Sequence, residues 1–447
     1  LSDLDTVSPN VLVSSFLVYK LHPDQDIQLI IESLQHGLAQ AAEQLPTLAA
    51  KLHFDNNGKP MRQMTPGSLE LKVRKFEFGD HKSYDQLAAK SFSPYDFDQS
   101  TLLPVEAYDN INERNVLLAQ LSFIPGGLIF ALGFNHVASD GGGRNLALTL
   151  ISKCSKAYME RDPASRSQFD YQREKFAAPL ELLALPKEQL RTRVKDYQII
   201  EMSTAPNKTK APKTTSTANA AKGLIYRIEG ANVKRLKDMC KSLKGIPYVS
   251  TYDCVAGLLW KSLMRVRAEL KPHLKPRESR LLHPVDLRYR TESGISRNYF
   301  GNAVTVASAG PVQMADLLSS DGLSLAASSI RQSIENTTLG SIAHATALGR
   351  MMMPTEKLHF MPSGGLLEEG LMLSTWYFMN TADYDFGVGP PDSIRCSAVP
   401  APGFAFLFPD CRRQQGSRVY DFYVTLQEAE QDMLSKDKEF RTWFSIL

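Results

Sequence analysis

Apolar residues recur at a helical period between residues 24 and 45. Ile27, Ile30, Ile31, Leu34, Leu38 and Leu45 share one face, and Pro46 ends the run. Residues 116–135 show a different pattern. Val116 to Ile124 reads as a strand, Pro125-Gly126-Gly127 as a turn and Leu128 to Phe134 as a second strand. The second strand is apolar almost throughout, which suits burial on both faces, and it delivers the chain to His136. Three glycines at 141–143 suit a close backbone approach or a turn that opens a helix, and Asn145 to Ala157 is patterned as a helix.

Residues 203–222 lack aromatic and large aliphatic side chains and are rich in Thr, Ala, Lys and Pro, so they are expected to form an exposed, mobile linker. Beyond it, Gly223 to Glu229 reads as a strand. Ser250 and Asp253 have capping-box spacing ahead of Val255, Leu258, Leu259, Leu263 and Val266, which predicts a helix. Thr425 and Glu428 have the same spacing and predict the start of a C-terminal helix.

A chain of 447 residues exceeds one ordinary core, so two domains are expected. The net charge of +3, without any basic block, argues against nucleic acid as a partner. The five cysteines are odd in number and contain no CxxC pair, which fits a reducing cytoplasm better than a disulfide framework. No apolar run approaches the roughly 20 residues of a membrane span. The chain opens at Leu1 rather than Met, so the lack of an apolar leader carries little weight.

The candidate chemistry centres on His136-Val137-Ala138-Ser139-Asp140-Gly141. A neutral imidazole at the end of a rigid buried strand can take a proton from an alcohol. On these residues alone His136 equally suits a satisfied structural histidine, and Asp140 either orients it or forms an ion pair that fixes the loop. The nine histidines contain no HExxH or comparable cluster, so no metal is expected.

HVASDG resembles the HxxxDG motif of the BAHD acyltransferases, which share the chloramphenicol-acetyltransferase-like fold. Asp385-Phe386-Gly387-Val388-Gly389 resembles their DFGWG motif, at the family's spacing of about 245 residues. The opening Leu1-Ser2-Asp3-Leu4-Asp5, Ser250-Thr251-Tyr252-Asp253 with Leu259-Trp260-Lys261, Val285-Asp286-Leu287-Arg288, Tyr299-Phe300-Gly301-Asn302 and Ser374-Thr375-Trp376 resemble further family segments in the family's order. Within the family, the runs 121–129 and 372–376 look like the fungal trichothecene 3-O-acetyltransferase group. Val388 departs from the usual Trp. Asn135 stands where the related peptide-synthetase condensation domains carry a second His.

The resemblance implies an α/β (α+β) fold of two similar domains, each a mixed β-sheet flanked by helices, with a channel between them. Their boundaries would be 1–202 and 223–447, joined by the linker 203–222, with a segment near 386–412 crossing back to the N-terminal sheet. It implies an acyl-CoA-dependent O-acyltransferase, with acetyl-CoA as the favoured co-substrate and an alcohol of fungal secondary metabolism as acceptor, working as a cytoplasmic monomer. His136 would be the base, Asp140 a structural partner of Arg288, and Ser374 the oxyanion donor. Trp376 and Gly141 would contact the acceptor, and Ser250, Lys261, Thr375, Asp385 and Gly387 the CoA. The alternatives are an N-acyltransferase, a condensation-type enzyme, or an inactive binding relative.

Overall fold

The computed structural model describes residues 1–105, 112–162, 166–194, 197–201, 221–353, 355–360, 366–399, 401–412 and 418–447. Two mixed sheets carry the architecture. The first runs in the order Ser393–Arg395, Leu12–Lys20, Gly127–Asn135, Leu117–Ile124, Leu71–Lys75. The helices Ile27–Gln44 and Gly141–Glu160 pack against each other beside it, so closely that a Cβ on Gly37 would lie 2.0 Å from Ser155 Oγ.

The second sheet has the order Val304–Gln313, Glu278–Asp286, Gly370–Thr375, Phe404–Leu407, Val419–Gln427, Ala221–Glu229, Ser445–Ile446. The helix Thr251–Leu270 buries Trp260, Leu263 and Val266 in one core with Leu371 and Leu373 of this sheet. This two-sheet α/β arrangement is the one the resemblance implies. Ser393–Arg395 belongs to the first sheet although it follows most of the second: it pairs antiparallel with Leu12–Lys20, Phe16 opposite Arg395. A further cross-connection pairs Tyr197–Glu201 with Glu356–Phe360.

Several local elements form where the pattern placed them, for visible reasons. Asp26 caps the first long helix by accepting from the Gln28 and Leu29 N–H groups. The Ser250 hydroxyl and Asp253 carboxylate cap each other's backbone N–H. All nine residues of Gly127–Asn135 are buried, because this strand has partners on both edges and packing on both faces.

Other elements differ from expectation. The hairpin turn is Pro125-Gly126 alone; Gly127 already pairs with Ile124, and Gly126 takes the left-handed φ of 77° that this tight loop needs. The helix after His136 starts at Gly141, so the three glycines are its first turn and not a connection before it. Thr425 caps nothing: it is buried within Val419–Gln427, and the C-terminal helix Glu428–Lys436 begins after Gln427. There the ladder with Ala221–Glu229 outcompetes the local capping pattern. That same ladder takes up Ala221 and Lys222, assigned above to the linker; residues 203–220 lie outside the described residues. Among the described residues no helix is long and apolar enough to cross a membrane.

Candidate active site

The central strand Gly127–Asn135 ends at the site. One residue further, the His136 N–H donates to the Val11 carbonyl at 3.0 Å, which extends the strand pairing to the histidine. Asn135 turns the chain: its side-chain oxygen accepts from Val137 N and its carbonyl from Ala138 N. From the other half, Asn302 Nδ2 donates to the carbonyls of His136 (3.0 Å) and Val137 (3.2 Å). Asn302 is itself held by Asp5, whose Oδ1 accepts from its backbone and side-chain nitrogens at 3.0 and 2.9 Å. The opening segment of the chain therefore braces the histidine through Asn302.

Asp140 turns toward Arg288. The two form a paired contact, Nη1 to Oδ2 and Nη2 to Oδ1, both 3.0 Å. The carboxylate also accepts from Ala303 N at 2.7 Å and from Gly143 N at 3.1 Å, the latter capping the helix Gly141–Glu160. Arg288 is saturated by Asp286 and by the carbonyls of Tyr299 and Gly301. Burial works against the Asp140 charge, but the Arg288 guanidinium and the two N–H donors outweigh it and hold the carboxyl below its ordinary value. This junction has no room for side chains at Gly142 and Gly143: a Cβ on Gly142 would lie 2.7 Å from Arg288 Nη1, and one on Gly143 1.8 Å from Ser139 Oγ.

His136 opens into a cavity of about 320 Å³ between the two sheets. Val11, Val13 and Phe134 line it from the first half, and Pro284, Val304, Met372, Ser374, Phe404 and Phe406 from the second. Strand register explains the second wall: Met372 pairs with Phe404 and Ser374 with Phe406, so all four side chains share one face. Burial lowers the His136 pKa below its ordinary value, and the nearby Asp140 charge raises it only in part. The imidazole is therefore neutral near neutral pH. Its Nδ1 is enclosed without a hydrogen-bond partner among the described residues.

Gly141, Ser374, Thr375 and Trp376 reach this cavity with His136 and Asp140. The structure does not bring the other candidates there. Ser250 is a helix cap. Lys261 donates to the Ser319 carbonyl at 2.6 Å on the outer side of its helix. Asp385 folds its own turn by accepting from Gly387 N and Gly389 N, both at 2.9 Å, and Phe386 is wedged edge-on against Phe130. His283 faces away from the cavity although its neighbour Pro284 lines it; it bonds Ser333 at 2.8 Å, and burial pushes its pKa down to about 3.

Arg144 escaped the sequence reading. It is 3% exposed, lines the cavity, and lies with its guanidinium carbon 3.9 Å from the ring centre of Trp376. No carboxylate pairs with it among the described residues. Desolvating a cation costs several kcal/mol. An aromatic face returns about 2 kcal/mol. Burial pulls Arg144 down to about 10, so it stays charged at neutral pH.

A family model described as the Transferase family matches residues 82–441. The chain belongs to that family, the BAHD-type acyltransferases. It is 26% identical to Acyltransferase M4 of Phoma sp. over 69% of this chain and 66% of that protein. It is 23% identical to trichothecene 3-O-acetyltransferase TRI101 of Fusarium sporotrichioides over 95% of this chain and 91% of that one. It spans 66% of the first of these and 50% of another curated relative. The fold superposes on F. graminearum TRI101 complexed with coenzyme A and T-2 mycotoxin with a TM-score of 0.77, at 19% identity, covering 100% of this chain and 98% of that one.

Proposed function

We propose that this BAHD-family protein is an acyl-CoA-dependent O-acyltransferase that uses His136 as general base. The observation that carries the reading is that His136 and the Ser374 hydroxyl open into one cavity between the two halves. With Nδ1 enclosed, Nε2 is the nitrogen offered to an acceptor hydroxyl. It removes the proton as the oxygen attacks the thioester carbonyl, and Ser374 donates to the resulting oxyanion. Collapse expels the CoA thiolate, which takes the proton back from the imidazolium. The products are an ester and free CoA, with no acyl-enzyme. Asp140 works only through the loop it anchors. Thr375 and Trp376 line the path of the reactants, Trp376 on the acceptor side.

F. graminearum TRI101, whose fold this chain shares, is complexed with coenzyme A or ethyl coenzyme A in its crystal structures, which supports an acyl-CoA donor. Acetyl-CoA and a hydroxylated fungal metabolite are the first pair to test, because fungal relatives carry O-acetyltransferase names. The setting the resemblance implies is a cytoplasmic monomer. The test is free-CoA release with a panel of acyl-CoAs and fungal alcohols, comparing wild type with His136→Ala. Loss of turnover by about 100-fold or more is expected for removal of a general base. A variant that keeps its rate on a true substrate refutes the role.

A further inference from the structure

The cavity is walled by Phe134, Trp376, Phe378, Phe404, Phe406 and Met372, yet it contains a cation, Arg144, with no carboxylate in ion-pair contact among the described residues. Arg144 projects from the first turn of the helix that follows His136 and places its guanidinium over the Trp376 ring. Its Nη2 lies 3.8 Å from where a Cβ on Gly141 would stand, and Gly141 and Arg144 both line the cavity. Its Nε is buried without a hydrogen-bond partner among the described residues. The nearby groups that could become anionic do not serve. Asp140 is committed to Arg288. Burial pushes Tyr384 well above its ordinary range and Cys396 up to about 12, so both are neutral.

A buried charge without a counter-ion is retained where a ligand supplies one. We propose that Arg144 binds a carboxylate on one of the two reactants, so that the protein selects either a dicarboxylic acyl-CoA or a hydroxy-acid acceptor. A guanidinium presents parallel N–H donors that match the two oxygens of a carboxylate. The aromatic walls accept the remainder of an apolar reactant. This inference rests on the acyl-transfer reading only for the identity of the reactants; the anion site itself is a property of the cavity.

The experiment measures binding by calorimetry on wild type, Arg144→Gln and Arg144→Lys, with circular dichroism to verify folding. One arm compares acetyl-CoA with malonyl-CoA and succinyl-CoA. The other compares 4-(hydroxymethyl)benzoic acid with its methyl ester. Wild type is expected to favour the carboxylate form in one arm by about 10- to 100-fold, the scale of a charge-assisted hydrogen-bonded pair. Arg144→Gln abolishes that preference and Arg144→Lys keeps part of it. The arm that responds identifies which reactant carries the acid. A preference in neither arm, or one that survives in Arg144→Gln, overturns the inference. A carboxylate preference that depends on Arg144 without any release of free CoA would leave the anion site standing and sink the acyl-transfer reading.

Discussion

The Arg288 guanidinium grips the Asp140 carboxylate through two parallel contacts of 3.0 Å, tying the loop after the central strand of one sheet to the segment after Glu278–Asp286 of the other. Both side chains are almost fully buried. Breaking such a pair by removing one charge costs about 3–5 kcal/mol. Asp140→Asn is therefore expected to lose stability on that scale in urea unfolding, along with activity. Its depressed pKa sets a sign as well. The stabilisation is complete above about pH 4, the ordinary carboxylate value, and is lost as pH falls toward the lower folded value. An Asp140→Asn protein of unchanged stability with only a rate defect would make Asp140 a partner of the imidazole instead.

The pH profile of kcat/KM follows from two groups in the cavity. The lowered pKa of His136 predicts an acid limb below about 6.5, where protonation removes the base. Asp286 titrates close by: burial pushes its carboxyl up to about 6, and Arg288 pulls it only part of the way back. Measuring the profile in Asp286→Asn removes this second group. The limb should persist there below pH 6.5; its disappearance would assign it to Asp286.

Ser374→Ala separates binding from chemistry. If the hydroxyl meets the oxyanion, kcat falls by about 100- to 1000-fold while KM for the acyl-CoA changes little. A raised KM with kcat preserved would make Ser374 a ground-state contact.

The glycines of the loop make a graded prediction. In Gly142→Ala the new methyl meets Arg288 Nη1 at 2.7 Å and Asp286 Oδ2 at 3.0 Å, atoms already locked in the ion-pair cluster. Overpacking of this kind costs about 1–3 kcal/mol, visible as a lowered thermal midpoint. In Gly141→Ala the nearest atom is Phe378 Cζ at 3.3 Å, at the tip of a half-exposed ring that can yield. That variant should keep its midpoint and show its effect in reactant binding. Equal destabilisation of the two would contradict the assigned crowding.

Much of the scaffold was legible because it depends on near neighbours. The Ser250–Asp253 capping box and the continuous apolar run before His136 each need only a few adjacent residues to be recognised. Thr425 shows the limit of that logic: its capping pattern is sound locally, but pairing with Gly223 across the sheet claims the residue for a strand. Lys261, expected to contact CoA, instead donates to the Ser319 carbonyl away from the His136 cavity, and which side of a helix faces a ligand depends on what covers the other side.

The sequence by itself determined the order of the motifs, the strand that ends at His136, the Ser250 helix cap and the membership of the family, because all of these are written in short runs of residues. Only the tertiary structure decided which partner each polar group obtained. Asp140 meets Arg288 across 148 positions of chain, Asp5 reaches Asn302 across 297, and Arg144 pairs with no carboxylate among the described residues. The physical reason is that the free energy of a buried charge is set by what surrounds it in space, and for this site the surroundings come from both halves of the chain.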